Sequence, residues 1–198
     1  LTGTPFFRAA VDAYVVAVPS TCGDLNVYGD QFGDFLAGYP PARTLPYLSC
    51  VARLEWAIDE ANRAGRSPGN SEQILARLSA VSAARLPAVR LRLAPSCRLI
   101  ASRYPVLRIW QTNQPDFAGD RRVELTEGAE HVLVRRDAHG VSLERLARGE
   151  HAWLSALASD APLGEAIERA QCVDCAFDLQ STLLAHLVSR TFADVSGA

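Results

Sequence analysis

Apolar positions in the first 65 residues recur every three or four residues, the spacing of one helix face. In "LPYLSCVARLEWAIDEANRAG" the stripe is Leu48, Val51, Leu54, Ile58 and Ala61, with Pro46 placed as a first-turn proline and Gly65 as a stop. Glu55 and Asn62 fall within that stripe. An ionised carboxylate on a core face costs several kcal/mol unless it is paired. The spacing therefore predicts that Glu55 meets an arginine, either within the chain, where Arg53 is near, or from a partner. Upstream, Thr4-Pro5 opens a helix through "FFRAAVDAYVVAV" that Pro19 closes, and "YGDQFGDFLA" predicts a short helix ending at Gly38. Asn70 or Ser71 caps a further helix, "EQILARLSAV".

From Val89 the period changes to two. "VRLRL" alternates strictly and reads as a strand, with "CRLIAS" and "VLRIWQT" as further strand candidates. "HVLVRRD", Ala138-His139-Gly140 and "VSLERL" predict a β-hairpin around a glycine-containing turn. A helix "RGEHAWLSALAS", a short helix opened by Pro162, a helix "FDLQSTLLAHLVSR" and a closing strand "TFADV" follow. The pattern predicts an α+β chain: a helical domain at 1–88, strands and a connecting loop at 89–130, and a winged-helix-like domain at 131–198.

Composition narrows the classes. The 198 residues suffice for one large or two small domains, and 48% hydrophobic with 21% charged residues is a globular balance. A net charge of −2 gives no global attraction to nucleic acid or to an anionic membrane, and no apolar run reaches membrane-spanning length. The five cysteines are odd in number in a chain too large to need staples, which fits reduced thiols in a cytoplasm. Cys172-Val173-Asp174-Cys175 alone has metal-ligand spacing, and no second pair or matching histidine accompanies it. His131, His139, His151 and His186 are dispersed, and no nucleophile, phosphate-loop or dinucleotide motif occurs. No catalytic or metal-binding residue is assigned, and the chain is expected not to be an enzyme on its own.

Charge is unevenly placed. Between Gln73 and Pro115 there is no acid, yet Arg77, Arg85, Arg90, Arg92, Arg98, Arg103 and Arg108 lie there, to be met by acids elsewhere in the fold or on a partner. From Pro162 to Thr182 the balance reverses: Glu165, Glu168, Asp174 and Asp178 face Arg169 alone. A winged helix reading DNA needs the opposite sign there. The same layout can instead accept a peptide strand at the hairpin edge, with side chains against the third helix. The candidate peptide-binding residues are Val132, Val134, Arg135 and Arg136 on the hairpin and Leu183, His186, Leu187 and Arg190 on that helix.

The blocks "FFRAAVDAYVVAVP", "GDLNVYGDQFGDFLAGYPPARTLPYLSCVARLEWAIDEA" and "YPVLRIWQTNQ" resemble the HvfC/BufC family and its relative MbnC of methanobactin biosynthesis. The resemblance runs from Phe6 to about Val195, with the last third similar in pattern only. It implies a helical domain followed by a winged-helix-like one, acting as the partner of a TIM-barrel enzyme that holds several irons. Such complexes modify cysteines of a ribosomally made precursor, in the methanobactin case to an oxazolone beside a thioamide, with O2 as oxidant, giving a copper chelator. The resemblance implies no cofactor in this chain and a role in holding the precursor's leader. It places Asp24, Asn26, Tyr28, Arg53, Glu55 and Trp56, from its most specific blocks, at the partner interface or in a buried pair. Many family chains carry a helical segment before "FFRA"; a start close to that helix resembles MbnC more than the bufferin-type chains. The rival expectation is a DNA-binding transcriptional regulator.

Overall fold

The computed structural model describes residues 1–65 and 70–197. Their helices are α1 (Gly3–Ala17), α2 (Phe32–Gly38), α3 (Leu48–Arg63), α4 (Ser71–Ser79), α5 (Val106–Thr112), α6 (Arg148–Ala158), α7 (Leu163–Val173) and α8 (Leu179–Val188). Their strands are β1 (Arg90–Leu93), β2 (Arg98–Ser102), β3 (Glu130–Arg136), β4 (Val141–Leu146) and β5 (Phe192–Ser196). The chain is α+β with a helical N-terminal region. It divides into two compact units, Leu1–Ala57 with Ser102–Glu130, and Ile58–Ala101 with His131–Ala198. The segments 1–88 and 89–130, expected as separate domains, are therefore each shared between the units, while 131–198 falls within the second. Local periodicity carries no information about such an interleaved division.

In the first unit, Ala10, Leu36, Ala42 and Leu48 form a buried cluster against Phe6, Phe32, Phe35 and Tyr39. Tyr14 sits among rings, 5.2 Å from Phe32 and 5.5 Å from Phe35, both edge-on. Its hydroxyl donates to the Tyr28 carbonyl at 2.6 Å, and the Tyr28 hydroxyl donates to the Val18 carbonyl at 2.7 Å. One buried and one half-buried aromatic thus keep their polar tips satisfied and tie the loop after α1 back onto it. Pro46 lies in the turn before α3, not in its first turn.

"VLRIWQT", a strand candidate in the sequence, is the helix α5. Its β-branched residues favour a strand, but Val106, Leu107, Ile109 and Thr112 are all buried at helical spacing, and packing overrides propensity. The buried Glu130 carboxylate accepts from the Leu107 N–H at 2.8 Å, meeting one of the donors that a helix start leaves unpaired.

In the second unit, β2, β3 and β4 form one antiparallel-hairpin-containing sheet in that order, and β1 pairs antiparallel with β5. The order of hairpin, three helices and terminal strand is as read, but the terminal strand joins β1 rather than the hairpin. The core gathers Leu91, Leu133, Trp153, Leu154, Leu157, Ala166 and Phe192. Asn70 caps α4 by accepting from the Glu72 N–H at 2.9 Å, and Asp178 caps α8 by accepting from the Gln180 N–H at 2.9 Å. No helix among the described residues is long and apolar enough to cross a membrane.

Candidate functional site

The candidate peptide-binding residues separate into two groups. Val132 and Val134 are fully buried, and β3 lies between β2 and β4. Both edges of β3 are thus occupied, and the expectation that a strand adds along His131–Arg136 is corrected: the open edge of the hairpin is that of β4. The Asp137 N–H donates to the Gly140 carbonyl at 2.8 Å. With the register Arg135↔Ser142 and Leu133↔Glu144, the alternation of an antiparallel ladder turns Ser142 and Glu144 toward β3. It leaves the main-chain groups of Val141 and Leu143 on the outer edge. Leu187 and His186 are buried as well, and Leu183 packs on the core. The solvent side of α8 instead shows Leu184 and Val188.

Arg135, Arg136 and Arg190 come together. They line a cleft of about 670 Å³ with the hairpin turn and the end of α8. Arg135 donates to the Ser189 carbonyl at 2.6 Å and pairs with Glu144 at 3.3 Å, while its Nε is buried without a partner among the described residues. Arg136 donates to the Asn62 carbonyl at 2.7 Å, at the end of α3, where a cation complements the helix dipole. Arg190 is left-handed at φ 55°. It ends α8 in a Schellman arrangement: the Thr191 N–H donates to the His186 carbonyl at 2.9 Å, and the Arg190 N–H to the Leu187 carbonyl at 3.1 Å. Glycine ordinarily fills that position, so an arginine there carries a conformational cost. Asp137 is the only acid in the cleft lining among the described residues.

Behind the cleft runs a buried polar chain that the sequence did not reveal. His186 Nε2 lies 2.9 Å from Glu150, its Nδ1 lies 3.0 Å from Thr191 Oγ1, and that hydroxyl lies 3.1 Å from Ser189 Oγ. Burial pushes the Glu150 carboxyl up, but the hydrogen bonds from His186 and from the Ala147 N–H outweigh it, and the group ends below the usual carboxylate range. The available signal was Glu150 at the third position of a helix, where a carboxylate reaches back to the helix start.

His131 and His151 stack at 4.3 Å with 25° between ring planes. Burial lowers both pKa values below the ordinary 6.5, helped by Arg148 at His131 and by His131 at His151. The folded state thus favours neutral rings. Their stabilisation is complete above the unfolded value and declines as pH falls from 6.5 toward the lowered folded values. Thermal midpoints are expected to fall between pH 7 and pH 5, with a shallower slope in His151→Phe. An identical slope in that variant assigns the pH dependence elsewhere.

The residues from the family-like blocks lie in the first unit. Asp24 accepts from the Asn26 N–H at 2.9 Å and from its side-chain amide at 2.8 Å, capping a single 3-10 turn. Trp56 lies over Gly29, where an added Cβ would stand 2.7 Å from its ring. Arg53 pairs with Asp34 at 2.6 Å. It does not reach Glu55, and among the described residues no arginine does, which corrects the expected internal pair. Val51, Leu54, Ala57 and Ala61 are the deeply buried positions of α3, so Glu55 stands at the flank of the stripe. It is exposed by area but borders a cavity of about 360 Å³ with Phe7, Phe32, Trp110, Asn113 and Gln114. Desolvation there raises its carboxyl pKa. Asn113 and Gln114 close the block "YPVLRIWQTNQ", from which no role is assigned to either side chain.

Part of the arginine-rich stretch is met inside the fold. Arg77 pairs with Asp194 at 2.6 Å, Arg90 with Asp160 at 3.4 Å and Arg98 with Glu60 at 3.0 Å, while Arg108 donates to the Asp120 carbonyl at 2.8 Å. The acids after Pro162 also have local work: Glu165 pairs with Arg169, and Asp174 accepts from the Ala176 N–H at 3.0 Å. Cys172 and Cys175 are exposed, and among the described residues no three histidine, cysteine or acidic groups converge. The fold and site define an α+β chain with a three-arginine cleft between the hairpin turn and the end of α8. No family model and no curated protein matches the sequence.

Proposed function

We propose that this chain is the non-catalytic partner subunit of an iron- and O2-dependent complex that modifies cysteines of a ribosomally made precursor peptide. The reading is of methanobactin or bufferin type, and the irons belong to a TIM-barrel enzyme with which this chain forms a heterodimer. The resemblance from Phe6 to Val195 supplies the class. The carrying observation is the open edge of β4, which begins at Val141 directly after the turn that lines the arginine cleft. A leader strand paired there gains main-chain hydrogen bonds of about 0.5–1.5 kcal/mol each. Arg135, Arg136 and Arg190 select acidic side chains along it. The five free thiols suit a reducing cytoplasm.

Labelled leader peptide titrated into the complex with the enzyme tests the reading. Leu143→Pro removes an outward N–H without breaking the β3 ladder, and Arg190→Glu reverses a charge in the cleft. Each is expected to weaken leader binding at least about tenfold while the enzyme still co-purifies. Circular dichroism checks that both variants fold. Unchanged affinity in both folded variants overturns the assignment of the leader site. Sequence-specific binding of promoter DNA at physiological salt favours a transcriptional regulator instead.

A further inference from the structure

Of the three arginines in the cleft, two are already engaged inside the fold. The Arg135 side chain is only 17% exposed; it donates to the Ser189 carbonyl and pairs with Glu144. Arg136 donates through one nitrogen to the carbonyls of Asn62 and Ala64, at 2.7 Å and 3.3 Å. Arg190 is exposed, and its guanidinium makes no hydrogen bond or ion pair among the described residues. Yet Arg190 also has the costly backbone, left-handed at φ 55° where glycine or asparagine would sit at less cost. A cation near the end of α8 suits the helix dipole, but a last-turn position would supply it without that backbone. Nothing that its side chain does among the described residues offsets the strain.

Both neighbours of Arg190 are pinned. Ser189 Oγ lies 3.1 Å from Thr191 Oγ1, a side-chain staple that spans Arg190. Thr191 Oγ1 is anchored in turn, 3.0 Å from Nδ1 of the buried His186. On the main chain, the Ser189 N–H donates to the Ala185 carbonyl at 3.0 Å, and the Thr191 carbonyl accepts from the Ala94 N–H at 2.8 Å. Relaxing Arg190 toward a right-handed backbone would break this frame, which is how a strained conformation persists.

We infer that Arg190 is the residue of this cleft that reads the acid, and that the Ser189–Thr191 staple holds it to that task. The inference rests on the cleft being the leader site and names the side chain that makes it selective. A guanidinium with all its donors uncommitted takes a carboxylate in a two-point fork, whereas Arg135 and Arg136 contribute mainly charge around it. Ser189, Thr191 and His186 act through Arg190 and are positioning residues. Strain held at a binding position has its own signature: relaxing it keeps or raises stability while binding is lost.

Fluorescence anisotropy of the full chain with fluorescein-labelled Val-Glu-Val-Glu-Val-Glu-amide, against the same peptide with glutamine for glutamate, tests it at physiological salt. The parent is expected to bind the glutamate probe at least about tenfold tighter than the glutamine probe, and Arg190→Gly to bring that ratio below about threefold. Glycine suits a positive φ, so the thermal midpoint of Arg190→Gly is expected to equal or exceed that of the parent. Thr191→Val removes the hydroxyl at nearly constant shape and is expected to lower the ratio at least about threefold, while Thr191→Ser keeps the hydroxyl and restores it. If Thr191→Val does not fold, Ser189→Ala opens the same staple from its other end, with the same expectation. A parental ratio in Arg190→Gly, or a midpoint clearly below the parent's, assigns that arginine to the fold and overturns the inference. A parental ratio in folded Thr191→Val, or in Ser189→Ala, overturns the role of the staple. A parent that does not distinguish the two probes overturns the reading of the cleft itself, and the inference falls with it.

Discussion

Replacing Trp153 with alanine is expected to remove about 3–5 kcal/mol of unfolding free energy, the range for deleting a large aromatic from a packed core. Trp153 is fully buried on α6, with Phe192 edge-on at 5.8 Å, His186 at 5.9 Å and Phe177 at 6.1 Å. Its neighbours come from α8, β5 and the turn between α7 and α8, so the void would open where several elements meet. Trp153→Phe is expected to be much milder. It keeps most of the apolar volume and removes an indole N–H that has no partner among the described residues. Urea denaturation with an unchanged m-value measures both. Similar losses for the two variants would show that a phenyl ring cannot fill the site and that the full indole shape is needed there.

His186→Leu is expected to destabilise by about 1–3 kcal/mol, because it takes the shorter hydrogen bond from each of two groups and leaves each with one longer one. The affected groups are Glu150 and Thr191, at 2.9 Å and 3.0 Å from the ring. The double variant His186→Leu with Glu150→Leu is expected to recover part of that loss, because it removes the stranded carboxylate. Strict additivity in the double-mutant cycle would exclude the coupling. A second readout is the acid limb of stability. The lowered Glu150 carboxyl contributes stability above its unfolded value that is lost as pH falls through the folded one. His186→Leu removes the hydrogen bond that lowers it, so the acid limb should flatten.

His186 also shows where the sequence stops being informative. Its place between Ala185 and Leu187 reads equally well as a polar tip on an apolar wall or as a buried ring. What decides is a carboxylate 36 positions earlier. The hairpin was legible because its apolar alternation and turn chemistry are local. That β3 is an inner strand was carried only by the unbroken run Val132-Leu133-Val134, the mark of a strand buried on both faces. For α5 the β-branched side chains pointed to a strand, and the deciding contact, Glu130 to the Leu107 N–H, spans 23 positions. The stripe on α3 was correct, but its centre was displaced. Ala57, too small to dominate a hydrophobic pattern, is more buried than Ile58, and that small rotation moves Glu55 from the core to its edge.

The pairing of β1 with β5 has a consequence for synthesis on the ribosome. Leu93 pairs with Phe192, so β1 leaves the exit tunnel long before its partner strand has been translated. At about 5–20 residues per second, the delay is roughly 5–20 s. Through that interval a strand bearing Leu91 and Leu93 is an open template for any passing chain. Arg90 and Arg92 alternate with those leucines, and like charges on two nascent copies repel when their strands approach in register. The arginines of β1 thus guard the unfinished protein before any of them meets its acid in the finished one.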